Sequence, residues 1–502
     1  MTRHRFFGGL HLPGNKAASL AQPILPCPLP AELHLLLRQH AGAAASPCVR
    51  TGERVHRGQC IAIADGDHSV PVHSPASGLV REIVAAPRAD DDEPSTLAIV
   101  IAVDSRTIDD DVNTLPPLDW KSASPAQLRQ RLHDAGVVGL GGAGFPTAGK
   151  LAAPRHTLIL NGAECEPYIA CDEALLAERA LEVIHGGRAL AHCVGAGRIV
   201  LALEAGMTKA IRACREALAG SGGEAIELAV LPDRYPQGGE RQLIQALTGH
   251  EVPRGGLPRD IGIVVQNVGT AVAAWQAIAQ GEPLTRRIVT VAGRGVQRPG
   301  NYEVAMGTSI ADLIVAAGGY TADAARLMLG GPLMGRALPH DGFAISKTSN
   351  CVLVLAADEL RDAAAELPCI RCGDCAAVCP ARLLPQLLLP QVRGEHWQLA
   401  SEFGLDACIE CGACDLACPS AIPLTAHFRF GKQAARQHTD ERVAADAARQ
   451  RHLARQQRLV RDEQEQAERL ATRKTQATSA DAVAAALARA RAKRKAADEA
   501  QD

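Results

Sequence analysis

Aromatic side chains are scarce in this sequence, since Phe, Tyr and Trp together make up 3% of 502 residues. The interior must therefore be built mainly from Ala, Val, Leu and Ile. A strong net charge is also missing, because the formal charge is only -2 at pH 7. Nucleic-acid-binding proteins normally carry a basic balance, so no nucleic-acid partner is expected.

Long hydrophobic runs are absent as well. No stretch of about 18 to 20 uninterrupted apolar residues occurs, so the sequence predicts no membrane-spanning helix. The most apolar stretch, residues 262–279, is interrupted by Gln266, Asn267 and Gln276. Residues 1–16 lack the hydrophobic core of an export signal. We therefore expect a protein that stays in the cytoplasm, where thiols are reduced by default.

Cysteine, in contrast, is abundant, with 16 residues in the chain. Eight of them form two runs of identical spacing, C-x2-C-x2-C-x3-C-P, which begin at Cys369 and Cys408. Zinc sites usually combine two C-x2-C pairs across a wide gap. Three cysteines at intervals of three, followed by a fourth and a proline, match the bacterial ferredoxin run instead. This spacing favours iron–sulfur clusters over zinc or disulfides.

The fourth cysteine of each run ligates the other cluster in two-cluster ferredoxins. We therefore predict two 4Fe–4S clusters, which would lie close together and suit electron transfer. The predicted ligands of the first cluster are Cys369, Cys372, Cys375 and Cys418, and those of the second are Cys408, Cys411, Cys414 and Cys379. The residues between the runs look helical, which indicates an α-helical ferredoxin domain.

A glycine loop, GLGGAGFPTAGK, begins at Gly139 and provides a second candidate site. Its glycines would let backbone amides approach a phosphate or a flat ring, although the spacing departs from the usual dinucleotide fingerprint. The next predicted strand ends in NGAECEPY, and ligands bind beyond the carboxyl ends of parallel strands. There Asn161, Glu164 and Glu166 could bond ribityl or ribose hydroxyls. Lys150 could contact a phosphate.

These segments resemble known redox proteins. The GGAGFPT loop with its following lysine, together with NGAECEP, looks like the flavin- and NADH-binding subunit of respiratory complex I and its hydrogenase relatives. The sequence resembles more closely the C subunits of Rnf-type ion-translocating ferredoxin:NAD oxidoreductases. That resemblance covers residues 1 to about 428 and includes FFGGLHLPGNK, YPQGGERQLI, QNVGTA, GGPLMG and both cysteine runs.

The resemblance implies that FMN binds at the glycine loop and that NADH stacks against the flavin. Cys165 stands where the complex I pattern has Gly, so the contact geometry is not carried over unchanged. No acid–base pair is required, and no catalytic side chain is predicted. The implied flavin and nicotinamide contacts are Gly141, Gly142, Gly144, Phe145, Lys150, Asn161, Glu164 and Glu166.

The expected fold class is multidomain α/β. A hairpin at residues 64–70 contains no lysine, so the lipoyl-like barrel-sandwich domain should be unmodified. The tail should be an exposed helix or a partly disordered arm. The predicted order is an N-terminal segment (1–29), a barrel-sandwich hybrid (30–124), a doubly wound FMN- and NADH-binding domain (125–285), a β-grasp-like domain (286–365), a dicluster ferredoxin domain (366–430) and a charged Ala/Arg-rich tail (431–502).

The function implied by the resemblance is that of a peripheral electron-transfer subunit on the cytoplasmic side of the cell inner membrane. Electron flow between NAD(H) and ferredoxin, through FMN and two clusters, would be coupled to ion translocation. The expected partners are NAD(H), the membrane subunits of the same Rnf-type complex and, indirectly, ferredoxin. The alternative is a soluble flavin and iron–sulfur reductase such as a cobalamin reductase. A third interpretation is a non-enzymatic electron relay or redox sensor without flavin.

Overall fold

The computed structural model describes residues 5–66, 68–89, 95–104, 114–223, 225–360, 364–498 and 500. The chain divides into two compact units, Met1–Phe428 and Arg429–Asp502. Within the described residues, no helix combines the length and the apolar character that crossing a bilayer requires.

Two antiparallel sheets form the barrel-sandwich domain, which follows a short strand β1 (Leu25–Pro26). One sheet has the order β2–β8–β7–β4 and the other β3–β5–β6. The predicted hairpin connects β5 to β6, and its residue 67 lies outside the described residues. The strands are β2 (Glu32–Leu36), β3 (Ser46–Pro47), β4 (Arg54–Val55), β5 (Cys60–Ile63), β6 (Val72–His73), β7 (Gly78–Pro87) and β8 (Ser95–Val103).

The next domain contains a four-stranded parallel sheet of order β11–β10–β9–β12, which confirms the predicted doubly wound fold. The last helix continues into a π-type turn, Gln276–Gln280. The elements are α1 (Pro125–Asp134), α2 (Thr147–Lys150), β9 (Thr157–Asn161), α3 (Cys171–Val194), β10 (Arg198–Glu204), α4 (Thr208–Gly220), β11 (Ile226–Leu231), α5 (Glu240–Thr248), β12 (Ile263–Asn267) and α6 (Val268–Trp275).

Both faces of this sheet are covered, and for that reason its strands are almost continuously hydrophobic. Leu158 and Leu160 of β9 pack on one face, in the core that contains α3, α4 and α6. Ile159 points to the other face, where it joins Leu243 and Ile244 of α5. Because both faces are covered, a ligand is expected at the edge of the sheet formed by the carboxyl ends of the strands.

A six-stranded mixed sheet of order β1–β14–β13–β17–β15–β16 forms the third domain. The N-terminal strand β1 therefore joins this sheet, parallel to β14. Ser309 caps the helix of this domain, since its hydroxyl accepts a hydrogen bond from the Asp312 amide at 3.0 Å. The elements are β13 (Arg286–Ala292), β14 (Gly300–Ala305), α7 (Ile310–Ala316), β15 (Ala324–Leu329), β16 (Arg336–Ala337) and β17 (Cys351–Ala356).

Helices dominate the remaining chain. In the described part of the ferredoxin domain they pack around a small core that contains Leu388, Leu405 and Phe428. In the second unit, α12 and α13 expose nearly every side chain, as expected for helices that close no core. The helices are α8 (Asp374–Ala377), α9 (Pro385–Arg393), α10 (Trp397–Glu402), α11 (Ala413–Ala417), α12 (Leu424–Thr478) and α13 (Ala480–Asp498).

A close backbone approach between α3 and α6 depends on Gly186, because a Cβ there would lie 1.9 Å from the Ala271 carbonyl oxygen. Gly186→Ala should therefore destabilise the protein by about 1–3 kcal/mol through overpacking. The matched control is Gly220→Ala in α4, where an added Cβ meets nothing within 4 Å. We expect a lower thermal unfolding midpoint for the first variant only. Equal midpoints would contradict this packing.

Candidate functional site

A cavity of about 790 Å³ opens at the carboxyl ends of the parallel strands. Asn161 ends β9 and Asn267 ends β12, and the two residues are in register. The Asn267 side chain accepts a hydrogen bond from the Gly269 amide at 2.8 Å and so caps α6. The Asn161 side-chain amide donates to the Gly238 carbonyl at 2.9 Å. Both chain segments turn away at these asparagines, which leaves the sheet edge as the cavity floor.

The glycine loop forms one wall of the cavity. Gly142 has φ 105°, and a Cβ placed there would meet nothing within 4 Å, so this position is open. Gly144, in contrast, is buried and is not among the residues that line the cavity. Its carbonyl accepts a hydrogen bond from the Ala41 amide at 2.9 Å. Gly144 therefore lets the loop pack against the barrel-sandwich domain.

Two buried basic side chains from the third domain hold the glycine loop from beneath. The Arg287 guanidinium donates to the Leu140 carbonyl at 3.2 Å and to the carbonyl of Lys347. The Lys347 ammonium donates to the carbonyls of Gly136 at 2.8 Å and Pro71 at 3.3 Å. Residues of three domains thus meet under the loop, which restricts its movement relative to the sheet.

The acidic segment after β9 is part of the fold as well as of the cavity wall. The Glu164 carboxylate accepts hydrogen bonds from the Asp172 and Glu173 amides at 3.0 and 3.3 Å, which caps α3. Lys16 donates to the Glu164 carbonyl. Burial, and then the charge of Glu164, raise the pKa of Asp172 to about 7. Helix caps and a dense group of carboxyl groups therefore share this corner of the cavity.

Glu166 anchors a loop that closes the opposite side. Its Oε1 accepts hydrogen bonds from the Leu333 amide at 2.8 Å and the Met334 amide at 3.0 Å. Burial raises the pKa of Glu166 above its usual value. Lys150 is also paired, since its Nζ lies 2.7 Å from Glu240 Oε1 and 2.9 Å from the Val265 carbonyl oxygen. A phosphate at Lys150 would therefore compete with Glu240.

Most of the predicted flavin contacts surround this one cavity. Residues of two further motifs, QNVGTA and YPQGGERQLI, also line the cavity. These motifs supported only the family resemblance, and no role was predicted for their residues. Among them, the buried Gln266 Nε2 has no hydrogen-bond partner among the described residues and is available to a ligand. The predicted contacts that line the cavity are Gly141, Gly142, Phe145, Lys150, Asn161, Glu164 and Glu166.

The second cysteine run forms a small pocket of its own. Cys408, Cys411 and Cys414 line it together with Cys379 of the first run, which is the ligand set predicted from the spacing. Gly412 has φ 71°, which allows the tight turn between two ligands. Burial and neighbouring thiols raise the pKa of Cys411 to about 12. A cation or cluster bound among these cysteines would favour their thiolate form.

The first run lies beside the end of the second. Cys369 is exposed at the surface. The Leu367 amide donates to the Ser420 carbonyl at 2.9 Å, and the Ser420 hydroxyl donates to the Pro368 carbonyl at 3.0 Å. Because Ser420 follows Cys418 by two residues, these bonds bring Cys418 towards Cys369. The arrangement supports an exchange of ligands between the runs.

Four domain families match this chain. They describe the same order of domains that the elements show and agree with the α/β, barrel-sandwich and ferredoxin parts of the fold. The matches are the RnfC barrel sandwich hybrid domain at residues 4–106, the Nuo51 FMN-binding domain at 132–276, the SLBB domain at 288–337 and the 4Fe-4S dicluster domain at 368–422.

Known proteins are similar over most of this chain. The C subunit of the ion-translocating oxidoreductase complex of Pseudomonas aeruginosa is 46% identical over 92% of this chain and 60% of its own length. Its counterpart from Citrobacter koseri is 41% identical over 97% of this chain and 69% of its own length. The chain thus spans 60% and 69% of the length of these two relatives. A chain of an NAD+-reducing NiFe-hydrogenase shows a weak likeness, with a TM-score of 0.44 at 22% identity over 63% of this chain and 64% of its own.

Stability should depend on pH through Lys347. Burial lowers its pKa to about 7, although Cys60 acts in the opposite direction, whereas an unfolded lysine titrates near 10.4. Above about pH 7 the unfolded chain binds a proton that the folded chain does not, so this contribution to stability rises with pH. We expect Lys347→Met to remove that rise in thermal midpoint between about pH 7 and 8.5.

The control is Lys121→Met, because Lys121 is exposed. This pH range lies above the one in which His40 and His73 titrate, because burial lowers their pKa values to about 4 and about 3. Parallel midpoint curves for the native chain and the Lys347 variant would contradict the buried-amine account.

Proposed function

This chain belongs to the family of C subunits of ion-translocating oxidoreductase complexes, and we propose that it is a peripheral electron-transfer subunit of such a complex. Electrons pass between NAD(H) and ferredoxin through FMN and two 4Fe–4S clusters. Membrane subunits of the same complex couple this flow to ion translocation. The chain itself sits on the cytoplasmic side of the cell inner membrane.

One contact carries the proposal. Tyr235 lines the large cavity, and its hydroxyl donates a hydrogen bond of 2.7 Å to the carbonyl oxygen of Cys411. A single buried side chain therefore touches both the candidate flavin cavity and the candidate cluster site. Electron transfer needs this proximity, whereas two unrelated binding functions do not.

The cavity residues fit a flavin mononucleotide. The open glycine loop at Gly142 presents backbone amides, and Lys150 adds a cation, which together suit a phosphate. Asn161 and Glu164 supply polar side chains for ribityl hydroxyls. The unpartnered Gln266 amide offers a donor to the ring. A cavity of about 790 Å³ is within the usual range for a ligand of this size.

The chain contributes binding and orientation rather than acid–base catalysis. FMN, when bound, supplies the conversion between two-electron hydride transfer and single-electron transfer. Arg287 and Lys347 hold the glycine loop in place, and Glu166 fixes the loop on the facing wall. The cysteines of the two runs would hold the clusters as thiolates. We propose no catalytic residue.

Reduction by NADH tests the full electron path. The chain reconstituted anaerobically with iron, sulfide and FMN should lose flavin absorbance, and then cluster absorbance, when NADH is added. Anaerobic protein should contain iron rather than zinc and show a low-temperature paramagnetic signal after dithionite. Retained colour at both chromophores would reject the path, and zinc in place of iron would reject the cluster assignment.

Flavin binding should depend on the open position in the glycine loop. Gly142→Trp places a large side chain where the cavity is empty and should abolish FMN retention. Gly52→Trp is the matched control, since Gly52 also has a positive φ, 83°, and open space, but lies in the barrel-sandwich domain. FMN content after gel filtration is the readout. Equal retention in both variants would place the flavin elsewhere.

Membrane attachment separates this proposal from the soluble cobalamin-reductase alternative. The names of the relatives favour the membrane complex. The native protein should sediment with inner membranes, wash off partly with salt and co-purify with integral membrane subunits. Recovery only in the soluble fraction, with FMN and iron bound, would favour the alternative. A soluble protein with clusters but no flavin would favour the electron relay.

A further inference from the structure

The two cysteine runs differ in how they contact the flavin cavity. The strongest contact belongs to the second run, through Tyr235. This tyrosine is only 2% exposed, and its hydroxyl reaches the Cys411 carbonyl at 2.7 Å. The hydroxyl also interacts with Glu166, which lines the same cavity. Ile409, between two predicted ligands, lines the cavity directly. The second run therefore forms part of the cavity wall.

A second connection reaches the same run from another direction. Glu166 holds the loop that contains Leu333 and Met334 by two backbone hydrogen bonds. This loop packs against Gly412, since a Cβ on Gly412 would lie 3.3 Å from the Leu333 carbonyl oxygen. The wall residue Glu166 is thus tied to the second run both through Tyr235 and through Leu333.

The remaining predicted ligand of that cluster, Cys379, is held by the N-terminal segment. A Cβ on Gly8 would lie 2.7 Å from the Cys379 carbonyl oxygen, so the two backbones are in close contact. The Gly9 amide donates to the Val378 carbonyl at 2.8 Å. The next residue, Leu10, exchanges two backbone hydrogen bonds of 2.8 Å with Tyr235. One continuous segment therefore connects Cys379 to the cavity wall.

The start of the first run, in contrast to Cys379 at its end, faces away from this wall. Cys369 and Cys372 are exposed, and Ile370 between them is 68% exposed. Just before this run, the hydrogen bonds between Leu367, Pro368 and Ser420 stay inside the ferredoxin domain. Two ligands at the surface suit electron exchange with another protein.

We propose that the cluster held by the second run is the inner one, next to the cavity, and that the cluster held by the first run is the outer one. Tyr235 is the positioning residue that holds the inner ligand run against the cavity. The inference rests on the proposed function. The inner ligands are Cys379, Cys408, Cys411 and Cys414, and the outer ligands are Cys369, Cys372, Cys375 and Cys418.

The electron balance of this order is simple. NADH is oxidised to NAD+ with release of one proton, and its two electrons pass through FMN one at a time. Each cluster would accept one electron. The inner cluster would receive electrons from FMN, and the outer cluster would receive its electron from the inner one. In the opposite direction the outer cluster receives electrons from a one-electron protein donor, and NAD+ is reduced.

The first test measures cluster potentials in the full chain by paramagnetic resonance during redox titration, without NADH. In the native chain, the Tyr235 hydroxyl hydrogen-bonds to a ligand peptide and so stabilises the reduced cluster, which carries more negative charge. Tyr235→Phe removes this hydroxyl. We expect a lower midpoint potential for the inner cluster alone. The matched control is Tyr302→Phe, because Tyr302 is also 2% exposed and donates to a backbone carbonyl, that of Arg298, at 2.9 Å.

Two ligand variants assign the signals. Cys372→Ala should delete the outer cluster, and Cys408→Ala should delete the inner one, each with loss of about half the iron. The order is overturned if Tyr235→Phe shifts only the outer signal, shifts both equally, or shifts neither. This arm needs neither flavin nor nucleotide, so it remains informative even if the proposed function fails.

The second test uses the same variants with FMN and nucleotide. Cluster reactivity in each variant is scored relative to the flavin reduction by NADH measured in that same variant. The cluster that remains in Cys372→Ala should still react with nucleotide. Either NADH reduces it, or NAD+ oxidises it after it has been reduced with dithionite and the dithionite has been removed by gel filtration. The cluster that remains in Cys408→Ala should lose this reaction. Equal reactivity of the two variants would overturn the order, whereas no flavin reduction in the native chain would reject the proposed function instead.

Discussion

The alignment of two strand ends is the constraint on which the rest of the site depends. Asn161 and Asn267 end neighbouring parallel strands in the same register. Asn267 caps the following helix, and the Asp172 carboxylate accepts a 2.6 Å hydrogen bond from its side chain. Helix N-termini, carboxylates and the glycine loop therefore converge on one sheet edge. A shift of register by one residue would separate these groups, because alternate strand residues face opposite sides.

Around this edge, the other domains act as supports for the cavity. Arg287 and Lys347 are buried basic side chains of the third domain, and each hydrogen-bonds to backbone carbonyls at or near the glycine loop. Burying such groups is costly unless they are hydrogen-bonded. The loop is consequently coupled to the barrel-sandwich and β-grasp-like domains, which explains why domains without an evident reaction accompany the flavin domain. Their role here is to fix the geometry of the cavity.

The ferredoxin domain is joined to the cavity asymmetrically. Tyr235, Leu333 and the N-terminal Gly8–Leu10 segment all contact residues of one cluster site, and the other site opens to solvent. A difference in solvent exposure is one of the factors that set the potentials of iron–sulfur clusters. The same packing that positions the inner run therefore also distinguishes the two sites electrically. A path from a buried cavity to the protein surface follows from this asymmetry.

The sequence alone determined the chemistry, because ligand spacing and strand periodicity are local properties of the chain. The cysteine intervals predicted a set of cluster ligands, the alternation of strands and helices predicted the doubly wound domain, and the glycine loop marked the cavity. Tertiary structure decided which groups meet. Gly144 turned out to pack behind the loop rather than line the cavity, and Glu164 also caps α3. Tyr235 and Cys411 are 176 residues apart, and only packing brings them together.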